Sequence, residues 1–375
     1  MNVPTNILIS YSKFATSRSG GARESLLTLL NGLNEKKQIF ADVYQTPPIN
    51  DLPKTDFEYK INTNNVYTIP KLTWANQIVV RKQWRKYLRN QISPKHDFLI
   101  TLNALAPVSV DVASEADLPS LFFTHSLALT GYEKYNSSQS HLLNILNTDL
   151  GGRVQYPFLW KNFEEYKRAA QQATYTVANS EFTAAKIEDL FGIDSIIIYP
   201  PIDIKKYHVK YNNEGYVTMV NPRAEYKGTD IFINIASTLF DEEFLLVGPI
   251  ESSKIKKQVK QTPNITHWEW CEDMREAYSE SKVVVVPSRV EESFGRVPAE
   301  AMVSGIPCVV SNRGGLPEVV GDTGEVVNDV ENINSWITAI HRALNDHHPE
   351  DQKKRAERFS TENQIKKLVR LIEKL

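Results

Sequence analysis

Cysteine is nearly absent from this chain of 375 residues: only Cys271 and Cys308 occur, far apart and outside any CxxC. That spacing suggests neither a disulfide framework nor a zinc site, and each is read as a reduced, partly buried thiol. No two aspartates stand two positions apart and no His/Cys/Asp group has metal-ligand spacing, so no resident metal or cofactor is expected. Long apolar runs are missing too. Nothing approaches the ~20 apolar residues of a membrane helix, and the polar start leads only into the short run Ile7-Leu8-Ile9. The expected location is therefore cytoplasmic, with peripheral contact at the inner membrane face left open. An excess of positive charge is also lacking: the net charge of −2 disfavours a nucleic-acid binder that relies on overall basicity.

What is present suits a globular chain of about two domains, since 41% of residues are hydrophobic and 23% charged. Short β-rich runs alternate with longer helical patterns, which argues for parallel sheets built from βαβ units. In the first half the strand candidates are Asn6–Tyr11, Phe40–Tyr44, Phe98–Leu102, Leu121–Thr124, Tyr175–Ala178 and Ile196–Tyr199. In the second they are Tyr216–Val220, Phe244–Val247, Val283–Val286 and Cys308–Val310. Most are apolar throughout, as strands buried on both faces are. Pro200-Pro201-Ile202-Asp203 reads as a stiff connector, placing a domain boundary near residue 205. The expected domains are 1–205 and 206–354, each the size of one doubly wound domain.

The most informative stretch is Glu291-Glu292-Ser293-Phe294-Gly295-Arg296-Val297-Pro298-Ala299-Glu300. It joins the apolar run Val283–Val286 to a helix ending at Gly305, and open α/β sheets bind ligands at such strand ends. Pro298 suits the first helical position, with Val297 as N-cap. The amides around Gly295, Arg296 and Val297 would then form an anion site, and Glu292 and Glu300 would face one ligand. Glu300 at the third helical position would also suit capping or the helix dipole, although Val297 as N-cap lacks the Ser/Thr half of a capping box, and Glu292 could be an ordinary exposed loop acid.

Other loops carry weaker signals. The paired glycines Gly20 and Gly21 follow the first strand and precede an apolar-striped helix, so the backbone there allows close approach of a ligand. His125 emerges at the end of Leu121–Thr124, where a rim histidine and a ligand contact are both readable. Arg223 and Lys227 stand four apart on the loop after Tyr216–Val220, well placed to hold a diphosphate. Asn179-Ser180 reads first as a helix cap. Trp270 fits base stacking and packing alike. The segment Ile78–Asn90 forms, as a helix, an apolar face (Val80, Trp84, Tyr87, Leu88) beside a basic one (Arg81, Lys82, Arg85, Lys86, Arg89). It either meets an anionic membrane or acidic acceptor, or packs on the first domain with its cations solvated.

Taken together, the Glu-x7-Glu pattern with Phe-Gly inside it, and the Glu-Ala-Met that follows, resemble the retaining GT-B glycosyltransferases of family GT4. The resemblance implies an α/β fold of two Rossmann-like, doubly wound domains facing a cleft. A C-terminal helix, about 355–375, would cross back to the first domain. It implies a nucleotide-diphosphate sugar as donor, a saccharide or lipid-linked saccharide as acceptor, and no metal. By position it assigns the catalytic roles to His125, Arg223, Lys227 and Glu292. Donor binding would fall to Gly20, Gly21, Trp270, Ser293, Phe294, Gly295, Arg296, Val297 and Glu300. Arg223 departs from the family, where a spacing of five before the lysine is commoner. A sugar-nucleotide epimerase or phosphorylase of the same fold, or a non-catalytic sugar-nucleotide-binding subunit, would share these features.

Overall fold

The computed structural model describes residues 5–12, 21–46, 55–66, 73–132, 150–223 and 225–375. The chain divides into two compact units, Met1–Tyr199 with Ile365–Leu375, and Pro200–Gln364. The division falls slightly ahead of the position near 205 expected from the double proline.

Among the described residues the first unit contains a seven-stranded sheet. Its strands are β1 (Thr5–Ser10), β2 (Ile39–Gln45), β3 (Glu58–Thr63), β4 (Phe98–Leu102), β5 (Ser120–Thr124), β6 (Tyr175–Ala178) and β7 (Ile196–Ile197). All pairs are parallel and the order is β3-β2-β1-β4-β5-β6-β7. The order reverses between β1 and β4. Helices α1 (Gly21–Lys36), α2 (Thr73–Arg89), α3 (Ala106–Glu115), α4 (Leu150–Gln172) and α5 (Glu181–Phe191) make the crossovers. Leu26, Leu29, Leu30 and Leu33 of α1 pack with Ile7, Ile9, Val43 and Ile100, together with Leu368 and Leu371 from the chain's end. Trp84 and Leu88 of α2 and Val108 and Val112 of α3 pack against Leu8, Tyr44 and Leu99. Each aliphatic side chain so buried stabilises the unit by roughly 1.5–3 kcal/mol.

The second unit contains a six-stranded parallel sheet of β8 (Tyr216–Val220), β9 (Phe244–Val247), β10 (Ile265–Trp268), β11 (Ser281–Val286), β12 (Cys308–Ser311) and β13 (Glu325–Val327). Its order is β10-β9-β8-β11-β12-β13, so the reversal lies between β8 and β11. Its helices are α6 (Ile204–Tyr207), α7 (Thr229–Thr238), α8 (Ser253–Gln261), α9 (Met274–Ser279), α10 (Arg296–Met302), α11 (Leu316–Val320), α12 (Ile333–Asn345) and α13 (Pro349–Glu357). The last helix, α14 (Thr361–Ile372), contains the point at which the chain returns to the first unit.

Three strands lie outside the sequence expectations, β3, β10 and β13, and all three are sheet edges. Their sequences, EYKINT, ITHW and EVV, lack the unbroken apolar run that marks a strand covered on both faces. The basic segment lies within α2 up to Arg89, with Asn90 just beyond the helix, and its apolar residues Trp84 and Leu88 are fully buried in the first unit's core. No helix among the described residues is long and apolar enough to cross a membrane.

Candidate functional site

Lys227 and Glu292 sit on the loops that follow β8 and β11, the neighbours across the second sheet's point of reversal. At such a point the loops diverge to opposite faces and leave a crevice at the strands' carboxyl ends. The two loops are locked together. Arg289 N donates to Tyr226 O at 2.8 Å and Arg289 Nη1 to Asp230 Oδ1 at 2.7 Å, while Thr229 Oγ1 donates to Pro222 O at 3.0 Å within the β8 loop. Gly228 holds φ +78° and caps α7. A Cβ built on it would lie 2.0 Å from the Pro287 carbonyl oxygen, so only glycine fits both the backbone and the contact. The turn that carries Lys227 is thereby pressed onto the end of β11.

Lys227 Nζ reaches Glu292 Oε1 at 2.5 Å, and Ser288 Oγ donates to the same oxygen at 2.9 Å. Both charged side chains are partly open to solvent, 24% and 20% exposed. The second carboxylate oxygen, Oε2, has no hydrogen-bond partner among the described residues. Ser288 is fixed in turn, its carbonyl accepting from Ser311 Oγ at 2.7 Å. The backbone of Glu292 bridges Gly314, and Gly315 N donates to Glu292 O at 2.7 Å. The loop Arg313-Gly314-Gly315 therefore braces the acid from behind.

Glu300 lies deeper. Arg296 Nε donates to its Oε1 at 3.1 Å and Tyr278 Oη to its Oε2 at 3.1 Å, and Tyr207 supplies a further hydrogen bond. Burial pushes the Glu300 carboxyl above the usual carboxylate range, while Arg296 and the two phenols oppose that shift. The same burial, with the Glu300 charge added, raises the Tyr207 and Tyr278 phenols.

The local structure corrects three expectations. The N-cap of α10 is Gly295, at φ +115°, not Val297, and Arg296 is the first helical residue. Glycine's left-handed backbone ends the loop two residues earlier than Pro298 suggests. Pro298 is third, still within the turn whose N–H groups have no helical acceptor. Glu300 is consequently fifth rather than third, which takes it out of the capping position and makes Arg296–Glu300 an i,i+4 pair.

The remaining site candidates are distributed as follows. Ser293 and Val297 flank the Gly295 turn, while the Phe294 side chain is buried and meets Phe359 edge-on at 5.1 Å. Arg223 is half exposed and pairs with Glu251 at 3.4 Å, not with the Lys227–Glu292 group. Trp270, on the loop after β10, is 77% exposed. Gly21 and His125 belong to the first unit, and Gly20 lies outside the described residues. Gly21 opens α1, and His125 follows β5, stacked on Phe123 at 6.2 Å and accepting from Asn179 Nδ2 through its carbonyl at 3.1 Å. Ser180 caps α5, accepting from Thr183 N at 2.9 Å.

Sequence reasoning missed Ser288, Tyr207 and Tyr278, which hold the two acids, because they stand on separate elements. Only Ser288 carried a signal, closing the β11 run with Pro287. It also missed Asn221, a non-glycine residue at φ +62° directly after β8, where asparagine tolerates the left-handed region.

Comparison with known proteins adds the family. Residues 215–346 match the family described as Glycosyl transferases group 1. Spore coat protein SA of Bacillus subtilis (strain 168) is 26% identical over 39% of this chain and 48% of its own length. A D-inositol 3-phosphate glycosyltransferase of Paenarthrobacter aurescens is 25% identical over 49% of this chain and 52% of its own. Matches to curated relatives of this kind span from 17% to 54% of the relative's length. Among solved structures, a sucrose-phosphate synthase of Thermosynechococcus elongatus gives a TM-score of 0.74 at 16% identity, covering 99% of this chain and 98% of that one. Anabaena HepE in complex with UDP gives 0.71 at 16% identity, covering 99% and 100%. At this identity the likeness speaks for the fold. Residues 215–346 are thus a domain of the glycosyl transferases group 1 family, set in a chain of GT-B fold, and the resemblance to GT4 enzymes stands on both.

Proposed function

We propose that the protein transfers a sugar, with retention at the anomeric carbon and without a resident metal, from a nucleotide-diphosphate sugar to a hydroxyl of a saccharide or glycolipid. The observation that carries this reading is the Lys227–Glu292 pair, 2.5 Å apart on the two loops flanking the second sheet's reversal. HepE, a structural neighbour, has been solved in complex with UDP-glucose. Relatives that include an O-antigen chain mannosyltransferase point to polysaccharide or glycoconjugate assembly.

In this reading the diphosphate competes with Glu292 for Lys227, whose ammonium then neutralises charge developing on the leaving group. Electrostatic stabilisation of that kind is usually the largest catalytic term. The amides after Gly295 add to it, and Arg223 contributes only if its exposed side chain leaves Glu251. Glu292, accepting through its open Oε2, takes the hydroxyls of the transferred sugar, since an ionised carboxylate accepts several charge-assisted bonds. Glu300 accepts from the ribose hydroxyls through the acceptor capacity that its three partners leave. His125 contacts donor sugar hydroxyls. The leaving phosphate oxygen assists deprotonation of the acceptor, so no enzymic nucleophile is needed.

The test is release of nucleoside diphosphate from a panel of sugar nucleotides, measured with the wild type and Lys227→Ala. Loss of one such stabiliser costs on the order of 3 kcal/mol, about a hundredfold in kcat. Equal turnover in the two proteins removes the assignment. Donor bound but never turned over marks a binding subunit instead.

A further inference from the structure

The first unit holds a charged pocket of about 170 Å³ between α2, α3 and α4. Five cations line it, Arg81, Lys82, Arg85, Lys161 and Arg168, against two carboxylates, Asp111 and Glu165. The carboxylates are already shared. Asp111 pairs with both Arg85 and Arg168, and Glu165 with Arg81 at 2.7 Å. Lys82 and Lys161 are exposed and form no ion pair among the described residues.

Arg81 is the informative member. Its side chain is 4% exposed and lies over the Tyr166 ring at 4.9 Å, while Nε donates to the Ala104 carbonyl at 2.9 Å. Its Nη2 is buried with no hydrogen-bond partner. That prong is closed to solvent, so Arg81 acts on the pocket as a fixed positive charge, its guanidinium held by Glu165 and the Ala104 carbonyl over the Tyr166 ring. The volume decides the size of that ligand. Pockets for whole small molecules run from about 300 to 1,000 Å³, so this one suits a single anionic group. The excess of cations selects for charge, and the paired arginines are already held in place by Asp111.

We propose that this pocket binds a phosphate group, presented either as a free ion or soluble monoester or as the phosphomonoester headgroup of a lipid. Insertion of α2 into the bilayer is not required, because its apolar residues Trp84 and Leu88 are buried in the unit's own core. The site is separate from the second unit's Lys227–Glu292 group and does not rest on the donor reading.

Calorimetric titration of the full chain with inorganic phosphate, against a matched chloride control, tests it. Lys82→Ala/Lys161→Ala is the variant of choice, since neither lysine supports the fold. Removing two phosphate-facing cations weakens binding about tenfold, while Lys227→Ala leaves it unchanged. Flotation with vesicles containing phosphatidic acid separates the sources. Vesicle binding lost in the double variant assigns the lipid headgroup, and binding of the soluble ion alone assigns the free phosphate. Absence of both, a response that chloride reproduces, or equal binding by the double variant overturns the proposal.

Discussion

Substituting Gly228 by alanine tests whether the site is built by the approach of two loops. The added Cβ would sit 2.0 Å from the Pro287 oxygen and 2.9 Å from its carbonyl carbon, and both are backbone atoms with no rotamer to change. The residue also occupies φ +78°, where an L side chain costs about 1–2 kcal/mol. Overpacking adds about 1–3 kcal/mol. The expected loss is therefore about 2–5 kcal/mol, or roughly 4–20 °C in the melting temperature of a domain of this size. Relief of the clash moves the turn bearing Lys227 away from β11, so the pair at 2.5 Å opens and the affinity for nucleoside diphosphate falls with stability. Differential scanning calorimetry, with and without UDP, and an isothermal titration read both quantities. Wild-type melting together with wild-type affinity would refute the packing account. Lost stability with affinity intact would refute the link between packing and site.

Two further outcomes follow from the site. Burial holds the folded pKa of Glu300 above its ordinary 4.5. Between those values the native state binds more protons than the unfolded chain, so this group's contribution to stability falls as pH rises through the window. Glu300→Gln has no such proton to lose. The melting temperature of the wild type minus that of the variant should fall from pH 4.5 upward, and a constant or rising value in the unliganded proteins contradicts the assignment. Trp270→Ala should leave stability within about 0.5 kcal/mol, because the ring is 77% exposed. If the ring stacks on the base, nucleotide affinity drops by about 1–3 kcal/mol, and unchanged binding withdraws Trp270 from the site.

The central strands were legible because a strand covered on both faces must be apolar throughout, as Val283–Val286 and Phe244–Val247 are. The edges β3, β10 and β13 face a partner on one side only, and their mixed polarity conceals them. Glu292 and Lys227 were legible as residues, being charges stranded on short strand-to-helix loops. Their mutual pairing was not, since 65 positions separate them and only the parallel order β8-β11 brings the loops together. The start of α10 was misplaced because proline at the third helical position and proline at the first leave the same local signature. Gly295, at φ +115°, resolves the choice through its backbone. For the basic face of α2, acids within the helix's own sequence neighbourhood gave no warning. Its arginines pair with Asp111, Glu115 and Glu165, carried by α3 and α4.

The Lys227–Glu292 pair gives the unliganded site a physical logic. Two like-charged loops at one crevice would repel, and an unpartnered lysine there would draw the turn toward solvent. A carboxylate opposite it cancels the charge at short range and holds both loops in register, with Ser288 fixing the oxygen that accepts the ammonium. Partial exposure keeps such a pair weak enough to exchange, because water screens it and desolvation is incomplete. A diphosphate carries more charge than one carboxylate and offers several oxygens, so in the proposed reaction it takes the ammonium and leaves Glu292 free. The acid that was the cation's partner then becomes an acceptor for hydroxyls at the moment a sugar arrives. Donor binding and assembly of the sugar contact would thus be one event rather than two.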